Sequence, residues 1–290
     1  MGWLFLILIV AATTGLWPVS RWVLRHDGDV VAMGFWVSLS ATCVGAISMI
    51  VTGTPFWIPG LLGVGLAGGF AYSVGFCICI MVALKIGPAG PTVTINNMAM
   101  VFGVFYSVGI LQPQMPNGLV IAGVLGICIA LLMLGFARNQ DTKAPGGLSP
   151  RWVRLVLLGG ALSGLSFVCQ THAAFLYPKT THLYVVATFG TSTVILLALM
   201  LRSPQRWRLR RERVGGICLG CMNGVVMSMI LAAIAELGAE VALPVTVATP
   251  VLLILLLGRY VYKEHLPKLA YVACVVGAIS LALLAWGKAS

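Results

Sequence analysis

The sequence has very little charge for its length. Only 9% of its residues are Asp, Glu, Lys or Arg, while 60% are hydrophobic, and a typical soluble domain is about 25% charged. Seven residues are acidic, and all seven fall in loops or at the ends of apolar runs. A chain of this composition cannot present a polar surface to water on all sides. The scarcity of charge therefore excludes a soluble domain and indicates a protein that lies in lipid.

The sequence also lacks the motifs of nucleotide-dependent and soluble enzymes. Its glycine-bearing runs have no strand before them and no lysine-serine ending, so they are not phosphate-binding loops. The one cluster of a histidine with acids, His26 with Asp27 and Asp29, shares a short loop with two arginines, where charge is solvated. The net charge of +11 is divided among several loops rather than gathered in one basic domain. We therefore predict no cofactor, no metal site and no nucleic-acid partner, and an intramembrane transferase is a remote alternative.

Ten long apolar runs fill almost the whole chain. A bilayer core about 30 Å thick needs roughly 20 apolar residues in a helix, and unbroken runs favour helices over the short alternating segments of a barrel. The first run has no basic residue before it, so we interpret it as a retained helix rather than a signal peptide. The prediction is an all-α integral membrane protein with ten transmembrane helices. They lie at about residues 2–20, 30–52, 59–84, 89–111, 117–137, 152–176, 181–201, 214–236, 239–260 and 267–287.

The basic residues are distributed unevenly between the two sides of this arrangement. Of the 18 Lys and Arg residues, 16 lie in loops that follow odd-numbered helices, and only Lys179 and Lys288 lie on the other side. Short basic loops stay in the cytoplasm. The charge distribution predicts a multi-pass protein of the plasma (inner) membrane with both termini external.

The two halves of the chain resemble each other in their turn residues. The longest polar stretch, residues 138–150, separates a first repeat at 1–137 from a second at 151–290. A shift of 151 positions superposes Gly65 on Gly216, Gly69 on Gly220, Gly87 on Gly238, Pro116 on Pro267 and Gly126 on Gly277. Five helices is an odd number, so the second copy must cross the membrane in the opposite sense. The sequence predicts two inverted five-helix repeats, which are typical of secondary transporters.

This architecture resembles the drug/metabolite transporter superfamily, in its EamA-like branch. The best local similarity covers the end of helix 9 and helix 10, in Gly258-Arg-Tyr-Val-Tyr-Lys-Glu-His-Leu-Pro267 and Gly277-Ala-Ile-Ser-Leu. Ala235-Glu-Leu-Gly238 and Leu84-Lys-Ile-Gly87 resemble the junctions before the family's ninth and fourth helices. The resemblance implies that helices 4 and 9 border a central cavity. Small multidrug-resistance members of the superfamily use a mid-membrane Glu in helix 1, and helix 1 here has none.

Polar side chains inside apolar runs are the candidates for a binding site. Asn96 and Asn97 are adjacent in helix 4, about 100° apart around the helix axis, so one amide can face a solute while the other bonds a neighbouring helix. Interhelical bonding alone is the alternative. His172 is the one ionisable residue well inside an apolar run. It can bind substrate or carry a proton, or it can serve as an interfacial histidine bonded to a neighbouring helix.

Helix 9 and three single residues complete the set of candidates. Thr246 and Thr249 lie close to two prolines, which free backbone carbonyls for a cavity. Tyr72 and Asn223 are equivalent under the shift of 151 positions, and Trp17 lies near the end of helix 1, as a cavity residue or an interfacial anchor.

The candidate residues are amides, hydroxyls, aromatic rings and one histidine. This set favours a secondary transporter that moves a small neutral or zwitterionic metabolite, amino-acid-like or sugar-like, by alternating access. A proton-coupled drug or cation exporter is the alternative. The expected partners are the small-molecule substrate and membrane lipid, with the chain acting as a monomer or a homodimer.

Overall fold

Ten helices make up the part of the chain that the computed structural model describes, which is residues 2, 4–12, 28–86, 89–111, 117–141, 149–260 and 268–289. Helix α1 covers residues 4–12, α3 covers 59–86 and α4 covers 89–111. The others are α2 (Val30–Thr52), α5 (Gly118–Asp141), α6 (Pro150–Leu176), α7 (Thr181–Met200), α8 (Arg210–Leu237), α9 (Ala239–Tyr260) and α10 (Lys268–Ala289). A short 3-10 turn, Pro204–Arg208, precedes α8.

The predicted all-helical membrane architecture is confirmed at this level. Six helices in the described residues are long and apolar enough to cross a membrane. They are α2, α3, α4, α6, α7 and α8, and each candidate span covers all or most of its helix. The predicted bounds that fall within the described residues agree within a few residues, except that α5 continues to Asp141 and α8 begins at Arg210, and the predicted end of helix 1 at residue 20 lies outside the described residues. Hydropathy marks only the part of a helix inside the bilayer, so it misses turns that continue into charged residues. By helix length and hydropathy the chain is a multi-pass membrane protein.

Two of the helices change their hydrogen-bonding pattern along their length. In α3, α-helical Pro59–Ala71 passes into a π-helical segment, Tyr72–Ile80, and returns to an α-helix at Met81–Ile86. In α4, Ala89–Met98 and Met100–Tyr106 are α-helical and Ser107–Leu111 is π-helical. Segments of π-helix are rare and frequently lie at functional sites. The sequence analysis did not predict either one.

Helices from the first five pack mainly on helices from the second five. The α5 helix packs on α10, α2 packs on both α7 and α8, and α3 packs on α6 and α7. Close approach depends on glycine, because a side chain at Gly69 would collide with Thr188 and Thr191 of α7, and one at Gly220 with Ser40 of α2. The two halves therefore form one helical bundle.

The connection before α2 and the connection after α7 meet at one end of this bundle. Asp29 caps α2 by accepting a hydrogen bond from the Ala32 N–H at 2.9 Å. Its other carboxylate oxygen lies 2.9 Å from Nε of Arg206, in the 3-10 turn, and its N–H donates to the buried Glu212 of α8 at 3.2 Å. The start of α2, the end of α7 and the start of α8 therefore lie on the same side of the membrane.

Candidate functional site

Four helices form a closed ring through the centre of the bundle. Helix α4 packs on α6, α6 on α8, α8 on α9, and α9 again on α4. We call these four helices the central ring. Most of the predicted site residues lie on them, so the ring is where the structure brings candidate polar groups together.

Three side-chain hydrogen bonds join α4 to α6 within the ring. The indole N–H of Trp152 donates to Oγ1 of Thr92 at 3.0 Å, and the hydroxyl of Ser163 donates to Oδ1 of Asn96 at 2.9 Å. Nearer the other end of the two helices, the hydroxyl of Tyr106 lies 2.6 Å from Nδ1 of His172.

Two of the predicted site residues, Asn96 and His172, take part in these contacts. Asn96 bonds a neighbouring helix, as one member of the amide pair was expected to do. His172 is half-buried and bonded to Tyr106, with the Tyr177 ring centroid 6.5 Å from its own.

Asn97 differs from Asn96 in its surroundings. Its side chain is half-buried and has no hydrogen-bond partner among the residues that the structure describes. The helix is irregular directly after it, because the N–H of Ala99 bonds the Asn96 carbonyl at 3.2 Å and the Ala99 carbonyl accepts from Phe102 at 3.2 Å. Both bonds span three residues rather than four, so α4 tightens at this point. The amide of Asn97 therefore lies beside a discontinuity of a membrane helix.

On α9 the two predicted threonines have different hydrogen bonding. The buried Thr246 donates its hydroxyl to the Leu243 carbonyl at 3.0 Å. The hydroxyl of Thr249 is buried and has no partner within the described residues. Pro250 lies inside the helix and has no N–H for the carbonyl of Thr246. An unpaired hydroxyl and a carbonyl that lacks its helical donor thus lie close together in α9.

Two further candidates lie on α8 and α3. Asn223 is half-buried, one helical turn before Met227, whose sulfur lies 2.8 Å from the side-chain nitrogen of Gln170 on α6. Asn223 therefore lies on the face of α8 that is turned towards α6. Tyr72 opens the π-helical segment of α3 and contacts Phe76 and Phe189 of α7, with centroids 5.6 and 5.4 Å away. Those contacts direct Tyr72 towards α7. Trp17 lies outside the described residues.

Sequence reasoning missed a buried acid at the start of α9. Glu240 was assigned to a helix end, yet it is only 3% exposed, and its Oε2 accepts a hydrogen bond from Ser107 of α4 at 3.3 Å. One residue, Gly238, separates α8 from α9. A connection this short has no room for an aqueous loop, and that spacing was the signal that could have placed Glu240 inside the protein.

Comparisons with known proteins identify the fold and leave the family open. No family model matches the chain, and no curated protein matches it. Twenty-nine chains of solved structures match. One crystal structure of a protein superposes with a TM-score of 0.74 at 17% identity, over 98% of this chain and 97% of that one. Similarity at this identity concerns the fold alone, so the chain shares its helical fold with that structure over nearly its whole length.

Proposed function

We propose that the chain is a secondary transporter of the EamA-like type, which moves a small neutral or zwitterionic metabolite across the plasma (inner) membrane. It would work by alternating access between two inverted five-helix repeats, at 1–137 and 151–290. The observation that carries this proposal is a set of contacts between the halves that repeat when both partners are shifted by 151 positions.

The contacts between α2 and α7 support this two-fold relation. A side chain added at Gly34 would meet Leu196, and one added at Gly45 would meet Val185. Position 34 is equivalent to 185 and position 45 to 196, so each contact is the image of the other. Thr42 and Thr193 are themselves equivalent, and their hydroxyl oxygens are 3.4 Å apart. Equivalent residues meet only near an axis that relates two copies, which supports a pseudo-two-fold axis between α2 and α7.

A second set of contacts supports the same axis further out. A side chain at Gly65 of α3 would meet Ala187 of α7, and one at Gly216 of α8 would meet Trp36 of α2. Shifting the first pair by 151 positions gives the second pair. An axis in the membrane plane between inverted repeats is typical of secondary transporters, in which the substrate site lies near the repeat interface.

The polar groups of the central ring support a substrate site at that interface. The ring includes α4 and α9, which are the equivalent fourth helices of the two halves. Asn97 lies at the irregular turn of α4, and the hydroxyl of Thr249, which has no partner in the described part of the chain, lies beside Pro250 of α9. Discontinuous helices that present backbone and side-chain polar groups are the usual way in which such transporters hold a solute. Uncharged groups of this kind suit a neutral or zwitterionic metabolite.

Reconstitution into liposomes tests the proposal. Vesicles that contain the purified protein are preloaded with members of a metabolite panel, and uptake of the same labelled solute is measured. A transporter gives transient accumulation by exchange without ATP, and the solute that exchanges also raises the melting temperature of the protein in detergent. If no solute exchanges or stabilises the protein, or if the protein converts a solute chemically, the proposal is wrong.

A further inference from the structure

Arginines are concentrated at the end of the bundle where α7 ends and α8 begins. Residues 202–213 contain six arginines and one acid. Arg206 and Arg211 are half-buried, and the side chains of the other four arginines are exposed. The exposed arginines and the tryptophan among them are called the interfacial patch, which consists of Arg202, Trp207, Arg208, Arg210 and Arg213. The patch places four exposed positive charges at one end of a membrane-embedded bundle.

Two acids beside the patch are turned towards the protein. Asp29 pairs with Arg206 at 2.9 Å and caps α2 through the Ala32 N–H. Glu212 is only 6% exposed, and its Oε1 accepts a hydrogen bond from the Asp29 N–H. The two carboxylates are therefore used inside the bundle, while the arginines of the patch lie on its outside.

Trp207 and Arg206 hold the patch against the first two turns of α2 and the end of α7. The ring centroid of Trp207 lies 5.4 Å from that of the buried Phe35 and 6.2 Å from that of Trp36, yet Trp207 is still 37% exposed. Nη1 of Arg206 donates to the Leu199 carbonyl at 2.7 Å. Tryptophan rings that are partly buried and partly exposed are typical of the headgroup level of a bilayer. The 3-10 turn is therefore fixed at the level of lipid headgroups.

The exposed side of α8 changes from basic to apolar along the helix. Arg210 and Arg213 lie in its first turn. The exposed side chains that follow, as far as residue 225, are Val214, Ile217, Cys218, Cys221, Met222 and Val225. Their spacing places them on the same side of the helix as the two arginines. At 1.5 Å per residue the apolar part is about 16 Å long, close to one leaflet of a bilayer core about 30 Å thick.

We propose that the interfacial patch binds the headgroup of an anionic phospholipid, whose acyl chains lie along the apolar side of α8. Guanidinium groups donate paired hydrogen bonds to phosphate oxygens. A headgroup without a cation of its own, such as phosphatidylglycerol, suits four arginines better than phosphatidylcholine, whose choline is repelled. A free phosphate has nothing to place on the apolar side of α8, so the continuity of the two surfaces favours a lipid. The inference does not rest on the proposed transport function.

Lipid titrations of the purified protein in detergent test the patch. Phosphatidylglycerol and phosphatidylcholine with identical acyl chains are compared by native mass spectrometry and by the rise in melting temperature. The wild type should bind phosphatidylglycerol about tenfold or more tightly, because each arginine near an anionic headgroup strengthens binding about fivefold. Glycerol 3-phosphate, a soluble form of the headgroup, should not displace the lipid at equal concentration. Equal binding of the two lipids, or displacement by glycerol 3-phosphate, would contradict the proposal.

Two double variants of equal charge locate the binding. Arg210→Gln with Arg213→Gln should remove most of the preference for phosphatidylglycerol. Arg151→Gln with Arg154→Gln is the matched control, because it removes two exposed arginines with the same spacing from the first turn of α6. The control should keep the preference within about twofold of the wild type. If the first double variant keeps the preference, or both double variants lose it equally, the lipid does not bind at the patch.

A single variant covers the case in which the first double variant does not fold. Arg208 is exposed in the 3-10 turn, and Arg208→Gln should weaken the binding of phosphatidylglycerol about fivefold. The melting temperature of the lipid-free protein shows whether each variant is folded. A folded Arg208→Gln protein with wild-type affinity for phosphatidylglycerol would contradict the proposal.

Discussion

At the scale of single residues, Asn96 and Asn97 are neighbours in the chain but differ in their hydrogen bonding. Asn96 holds α4 against α6 through Ser163, at an oxygen-to-oxygen distance of 2.9 Å. Asn97 is half-buried beside the irregular turn at Ala99. The same side-chain chemistry can therefore be tested at two adjacent positions with different expected results.

We expect Asn97→Leu to lower exchange of the transported solute by about tenfold or more, because in the proposed transporter the Asn97 amide bonds the solute, while the melting temperature stays near that of the wild type. Asn96→Leu should do the reverse, lowering stability by about 0.6–1.7 kcal/mol, the range of hydrogen bonds between membrane helices. Exchange per folded molecule and melting curves in detergent check both. Equal losses of folded protein and of exchange for Asn97→Leu would mean that its amide only supports helix packing.

The sequence identified six polar residues of the central ring, but it missed others and did not show how each is bonded. Asn96 and His172 could be found because amides and imidazoles are rare within apolar runs, and Thr246 because it lies close to two prolines. Ser163 and Thr171 were missed because small hydroxyl residues are common in membrane helices and often bond their own backbone. Glu240 was missed because the position of an acid in a hydropathy profile does not reveal whether the helix end is exposed.

At the scale of helices, bounds were easier to predict than internal irregularity. The predicted bounds of α2, α4 and α9 match the structure, since long apolar runs fix where a helix crosses the lipid. The π-helical segments at Tyr72–Ile80 and Ser107–Leu111 leave no trace in hydropathy, because they change which backbone groups are bonded and not how apolar the side chains are.

Glycine positions on α3 give a prediction at this scale. Gly69→Ala should destabilise the protein by about 1–3 kcal/mol, the usual cost of overpacking, because the new methyl group would collide with Thr188 and lie 2.7 Å from the Thr191 Cβ. Gly63→Ala is the matched control on the same helix, since nothing lies within 4 Å of its added methyl. Melting in detergent compares the two. If both variants melt at the wild-type temperature, α3 and α7 are not in close contact at Gly69.

At the scale of the whole molecule, the fold and the positions of the basic residues together predict how the protein is oriented in the membrane. Asp29 and Arg206 form an ion pair, so the loop before α2 and the arginine-rich turn after α7 share one side of the membrane. Of the 18 basic residues, 16 belong to the loops assigned to that side. The positive-inside rule therefore predicts that this side is cytoplasmic.

Reporter fusions test the orientation directly. A reporter fused after Arg211 should be cytoplasmic, and one fused at Ser290 should be external, because the ten-helix arrangement returns the chain to its starting side. Alkaline phosphatase, which is active outside, and green fluorescent protein, which is fluorescent inside, give opposite signals at each position. A cytoplasmic Ser290 fusion would reverse the orientation and contradict the charge argument.

The pairing of α5 with α10 has a consequence for how the protein is made. A ribosome that has completed α5 has inserted α2, α3, α4 and α5, whose main partners, α6, α7, α8 and α10, have not yet been synthesised. Until then the glycine faces of the first half can meet only lipid or one another. The bundle is complete only when α10 packs on α5. A chain that stops before α10 therefore leaves α5, a helix of the first half, without its main partner. Cellular quality control would therefore detect a late truncation as a defect in the first half as well as the second.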